Sequence, residues 1–315
     1  MSLVAFAAGA TVVVQAQSEP EEQPVTHNSW SSGAAMPTGL KFAMTGVIGG
    51  NIYVAGGVTA SAVVTNTQVY NPVTNTWSSK AAMPAATCDG ASAVVKGVLY
   101  VFGGSPDGVT VTNKVWAFNP ATNKWTAKTA MPTARASVAA AVENNIVYVI
   151  GGTDGHTRFN TVESYNPATN KWTTEAPLLA GKSEPSVGAV GTSIVAADGF
   201  TASGDTGDNE SYNPATNAWK SQAADPTGRN EACTGSSNGK LYVAAGSNGG
   251  VSNNTTVNES YSLTTNKWAT LAAIPQAVTA PASAVNKGIL YCFGGGTSTV
   301  PLQGTVFNAV QIYQP

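Results

Sequence analysis

Charge is scarce in this chain: Asp, Glu, Lys and Arg together make up 10% of its 315 residues, against roughly a quarter in ordinary soluble domains. No two Lys or Arg residues are adjacent, and the formal net charge is -2. Without a basic stripe to meet phosphate backbones or anionic lipid, nucleic acid is not an expected partner. Cysteine is scarce too. Cys88, Cys233 and Cys292 cannot form an even-numbered framework, so buried small hydrophobes are their expected role, and a disulfide would leave one thiol over. Downstream of the amino terminus no apolar run has the length of a membrane-spanning helix.

The first residues, Met1 to Ala16, are apolar and end in small side chains at Val14 and Ala16. They read as a signal peptide cut after Ala16, although no Lys or Arg precedes the apolar run. Residues 17–24, Gln-Ser-Glu-Pro-Glu-Glu-Gln-Pro, read as a solvated linker. A single domain is expected over residues 25–315, in an extracellular or periplasmic setting and as a monomer.

What the chain has in abundance is repetition. Trp30, Trp77, Trp125, Trp172, Trp219 and Trp268 recur at intervals of 47, 48, 47, 47 and 49 residues. Five of the six end a variant of Tyr-Asn-Pro-x-Thr-Asn-x-Trp, as in Tyr165 to Trp172. Gly57, Gly104, Gly152, Gly199, Gly246 and Gly295 keep the same spacing. Two landmarks in phase mean one structural unit repeated six times. In the unit from Pro84 to Trp125, an apolar run from Cys88 to Val95 is followed by the turn pair Lys96-Gly97. A second run, Val98 to Phe102, ends in Gly103-Gly104, and a third, Lys114 to Phe118, turns through Asn119-Pro120 toward Trp125. Each unit is therefore a four-stranded antiparallel sheet with a tight first hairpin. Its second strand is apolar at consecutive positions, which requires cover on both faces and hence stacking of neighbouring sheets.

A double glycine after an apolar strand, a Tyr 13 to 18 residues later and a Trp seven residues beyond it resemble the repeat of the Kelch family of β-propellers, over residues 25–315. The resemblance implies an all-β, six-bladed Kelch-type propeller. The last unit stops at Tyr313-Gln314-Pro315, and its missing outer strand stands at residues 26–33 around Trp30. The ring is thus expected to close by pairing the two ends of the chain, which removes open sheet edges.

Aligning the units places Leu40, Thr87, Arg135, Lys182, Arg229 and Val278 in one ring at the start of the inner strands. Phe42, Asp89, Ser137, Glu184, Glu231 and Ala280 lie two residues on. Strand alternation would put both sets on one side, with Arg135, Lys182 and Arg229 beside Asp89, Glu184 and Glu231 at the channel mouth. Such a site suits a carboxylate, a sugar acid or an acidic peptide loop. The resemblance carries pocket arginines of ligand-binding Kelch propellers onto Arg135 and Arg229. In the overlying loops, His156 and Arg158 are the side chains suited to catalysis or anion binding. Asp198, Asp205 and Asp208 lack the spacing of a calcium loop, and Glu163, Glu210 and Glu259, each two residues before a Tyr, read as structural. No metal and no cofactor are expected, and no catalytic residue is assigned. Copper radical oxidases share the propeller but need His ligands and a Tyr-Cys pair, and of the two histidines here His27 falls in the outer clasp strand. The expected function is non-catalytic binding of a protein or glycan through the loop face and channel mouth. The alternative, implied by bacterial relatives of the fold, is a sialic-acid-type sugar-acid mutarotase, with Glu184, Glu231 and Arg229 as the acid/base and anion-binding groups.

Overall fold

The structure, a computed structural model, describes residues 27–315. The signal peptide expected at residues 1–16 and the linker at 17–24 lie outside the described residues. Six four-stranded antiparallel sheets are arranged as blades around a central channel. Blade one runs from the channel outward through Met44–Ile48, Asn51–Ala55, Thr67–Asn71 and Thr76–Ser79. Blades two to five repeat this order, with inner strands Ala91–Val95, Ala139–Glu143, Ser186–Val190 and Cys233–Ser237. Blade six has Ala282–Asn286, Ile289–Phe293 and Val310–Gln314, and takes its outer strand, Ser29–Gly33, from the other end of the chain. Trp30 pairs with Tyr313 in that ladder, so the ring closes as the sequence implied.

The repeated phrase acts between blades. Each Trp indole donates to a carbonyl of the preceding blade, as from Trp77 to Ala34 at 2.8 Å and from Trp30 to Ala272 at 2.8 Å. The Asn two positions earlier takes positive φ, 53° at Asn75, where a short polar side chain is tolerated. Its Oδ1 accepts from Tyr70 Oη at 2.7 Å and from the Ala34 amide at 2.6 Å. Second strands are buried at every position after the first, Val54 and Val101 completely, because adjacent blades cover both faces. The first hairpin turns by two residues of positive φ, Lys96 at 50° and Gly97 at 75°, the twist that matches right-twisted strands.

The double glycine divides by conformation. The first position sits near φ 60°, a region open to L-residues, which is why Asp198 (60°) and Ala245 (59°) can occupy it. The second sits at 94°, 86°, 102°, 107°, 92° and 87°, and it is glycine in every blade. Its amide donates to the carbonyl at the start of the next blade, as from Gly152 to Lys182 at 2.9 Å. Cys233 and Cys292 form a disulfide from the inner strand of blade five to the second strand of blade six, and Cys88 is left as a buried free thiol.

Candidate binding site at the channel mouth

Between the start of each blade and its inner strand stands one residue in left-handed conformation: Phe42, Asp89, Ser137, Glu184, Glu231 and Ala280, with φ from 51° to 58°. These residues join into a belt. The amide of Asp89 donates to Phe42, Ser137 to Asp89, Glu184 to Ser137, Phe42 to Ala280 and Ala280 to Glu231, all at 2.8–2.9 Å. The left-handed kink also breaks the strand alternation on which the expected side-by-side arrangement depended. Arg135, Lys182 and Arg229 therefore do not stand beside the carboxylates at the mouth, and all three are fully buried.

Those three cations point into their own blades. Arg135 donates to the carbonyls of Gly151 (2.7 Å), Thr161 (2.9 Å) and Val149 (3.2 Å), and pairs with Glu163 at 2.8 Å. Lys182 pairs with Glu210 at 3.2 Å. Arg229 pairs with Glu259 and, at 3.3 Å, with Asp225. Blades with a cation at the first position have Glu two residues before the Tyr, whereas Leu40 and Val278 face blades that have Gln68 and Gln311 there. That matched exchange was the sequence signal that these cations belong to the scaffold. Carboxylates and backbone carbonyls of the same blade occupy the terminal nitrogens of all three cations, which are closed off from the channel.

The carboxyls, by contrast, do face the channel, a cavity of about 520 Å³ lined by the belt and the inner strands. Asp89 accepts from Ser137 Oγ at 2.6 Å, and Glu231 accepts from Thr279 Oγ1 at 2.8 Å. Burial within the channel walls pushes Asp89 up to about 7. Burial, reinforced by the negative charge of Asp89, pushes Glu184 up to about 8. Glu231 is raised by burial and then by Glu184 and Asp89. Asp89 and Glu184 are half-buried and Glu231 is buried, and the negative charge of one acid opposes ionisation of the next.

Two cations approach this ring. Arg158, on the blade three loop, opposes the rise at Glu184; its guanidinium lies over the Phe200 ring at 5.2 Å, and its buried Nε has no hydrogen-bond partner. It has no carboxylate within salt-bridge distance among the described residues, unlike Arg135 and Arg229. His156 is exposed, on a turn organised by Asp154, and does not join the ring. Sequence reasoning missed Lys41. Fully buried, it donates to the carbonyls of Ser298 (2.8 Å), Val300 (2.7 Å) and Gln303 (2.8 Å), fastening the blade six loop. Its position one residue from the belt was legible, but the loop that wraps it is a tertiary matter. Phe200 was likewise missed as the platform under Arg158. Among the described residues no group of His, Cys, Asp and Glu has the geometry to hold a metal ion.

With Asp89 pushed up to about 7 and Glu184 to about 8, these two carboxyls exchange between donor and acceptor states near neutral pH, so the ring can both give and take hydrogen bonds with hydroxyl groups. Arg158 adds one fixed donor fork at the rim.

A family model described as the KLHDC2/KLHL20/DRC7 Kelch-repeats domain matches residues 80–223, and the Kelch motif matches residues 44–84 and 228–273. Among solved structures, that of YjhT superposes with a TM-score of 0.75 at 19% identity, covering 89% of this chain and 96% of that one. At that identity the likeness speaks for the fold alone. No curated protein matches the sequence. Kelch family models over residues 44–223 and 228–273, together with six blades that carry the double-glycine and Trp landmarks, show that the chain belongs to the Kelch-repeat β-propeller family.

Proposed function

We propose that this propeller is a binding module whose loop face and channel mouth hold a protein or glycan ligand, with a hydroxyl-rich glycan favoured. The observation that carries this reading is the ring of Asp89, Glu184 and Glu231 facing a cavity of about 520 Å³, with Arg158 beside Glu184. Asp89 and Glu184, pushed up to about 7 and about 8, match the mixed donor and acceptor pattern of sugar hydroxyls. The rigid body supports variable loops, the usual division of labour in a binding scaffold. Export to an oxidising compartment belongs to the same reading and is supported by the Cys233–Cys292 disulfide. A glycan array followed by thermal shift on Glu184→Gln and Arg158→Ala tests it. A ligand that stabilises the parent and both variants equally is held elsewhere, and the assignment of the ring fails.

One observation favours a second reading, sugar-acid mutarotation. Glu184, pushed up to about 8, is matched to moving a proton near neutral pH, and Arg158 beside it can hold a carboxylate. Opening a sugar ring requires a proton to leave the anomeric hydroxyl and another to reach the ring oxygen. Anomer exchange measured by NMR on acidic sugars decides it: exchange at the buffer rate leaves the binding reading alone.

A further inference from the structure

Asp198 occupies a slot that is glycine in four of the six blades, and it is completely buried. Neither of its carboxyl oxygens has a hydrogen-bond donor among the described residues. The polar group within hydrogen-bonding reach is the carboxyl of Asp225, itself an acceptor when ionised. The Asp225 carboxyl is itself held, its Oδ1 accepting from the Thr227 amide at 2.9 Å, and Glu259 also lies within its reach. From the segment leading into blade five come Asp225 and Arg229, and from its third strand Glu259, which shares Arg229 with Asp225. From the segment leading into blade four comes Lys182, already engaged by Glu210 on the third strand of that blade. Four carboxyls thus meet two cations in a dry seam, and Asp198 is the one that no cation touches within 4 Å.

We infer that Asp198 and Asp225 share one proton across the seam between blades four and five, and that this proton fastens the loop carrying Phe200. Two buried acceptors facing each other repel unless a proton lies between them, when they form a strong charge-assisted hydrogen bond. The Asp198 amide donates to Asp208 at 2.9 Å and the Asp225 amide to Gly207 at 2.8 Å, so the pair secures the far end of the Phe200–Asp208 loop. Phe200 is the ring beneath Arg158. Loss of the proton at rising pH leaves two like charges in contact, separates the seam and frees that platform. Burial and the neighbouring Asp225 charge hold Asp198 well above the usual carboxylate range, in keeping with a retained proton.

The test compares the parent with Asp198→Asn, whose amide donates to Asp225 without titrating, and with Asp198→Gly, which restores the residue of the other blades. The channel carboxyls are common to all three proteins, so their contribution cancels in the comparison. Melting temperature is followed from about pH 5 to about pH 9, together with amide exchange of residues 200–208 corrected for its intrinsic rate. The fall in melting temperature over that range is expected to shrink by on the order of 5 °C in the variants, with the loop staying protected at the upper end. Profiles that superimpose on the parent, or a loop that opens equally in all three, overturn the shared proton. Should Asp198→Asn not fold, Asp198→Gly alone separates the same two outcomes.

Discussion

Replacing both Cys233 and Cys292 with alanine removes the covalent tie between blades five and six. The two residues lie 59 positions apart in sequence with Cα atoms 5.7 Å apart, and both side chains are essentially inaccessible. In the chain-entropy account, cross-linking a loop of this length withdraws about 4 kcal/mol of freedom from the unfolded chain. An unfolding entropy of ~2.1 cal/mol/K per residue gives this propeller a value of roughly 0.6 kcal/mol/K, so the double variant should melt about 7 °C lower. Differential scanning calorimetry of the folded parent and variant measures this directly, and reductant applied briefly to the native parent well below its midpoint, then removed before the scan, should leave the midpoint at the oxidised value, because the bridge is shielded in the folded state. Peptide mapping under non-reducing conditions supplies the control, with Cys88 recovered as a free thiol. A midpoint lowered by less than about 2 °C, or Cys88 found in the bridge, refutes the reasoning.

Arg135→Ala should cost about 3–5 kcal/mol, because it strands Glu163 in a buried slot; urea unfolding checks this, and a loss below about 1 kcal/mol would restore Arg135 as a candidate ligand contact. Trp30→Ala removes an indole packed 5.0 Å from the Tyr313 ring and bonded to Ala272, and should cost about 3–5 kcal/mol across the whole cooperative transition. Local fraying of blade six with an unchanged main transition would show that the clasp does not hold the ring. The stability of the parent should fall as pH rises. Asp89 and Glu184 are held near 7 and 8 in the folded state and near 4 in the unfolded chain, so between those limits the folded state binds more protons. Their contribution is complete below about pH 4 and lost by about pH 8, roughly 2–3 kcal/mol for one such group between about pH 5 and neutrality. Glu184→Gln should flatten the profile, and a parent that is more stable at about pH 8 than at about pH 5 contradicts the sign.

The architecture was legible because it is written in local chemistry. A turn pair such as Lys96-Gly97 needs positive φ, a second glycine near φ 90° admits no other residue, and a Trp seven residues after a Tyr binds one blade to the next. The absent fourth strand after Tyr313 and the spare one around Trp30 gave the closure. The site was legible only in part. Asp89, Glu184 and Glu231 do line the channel, as the alignment of the units implied, whereas Arg135, Lys182 and Arg229 were placed there by an alternation that a left-handed belt residue interrupts. That φ value has no signature at Asp89, Glu184 or Phe42, residues that take other conformations elsewhere. Nor could local pattern show that Lys41 would be enclosed by the carbonyls of Ser298, Val300 and Gln303, more than 250 residues away.

By itself the sequence determined the repeat, the strand order, the number of blades and the way the ends meet, since each of these follows from periods and turn residues that act over a few positions. Only the tertiary structure decided which charges are scaffold and which face the channel, which two cysteines join, and that Asp198 is buried without a donor. Those outcomes depend on the direction in which side chains leave the belt and on what the neighbouring blade presents to them, and neither is encoded within a single repeat.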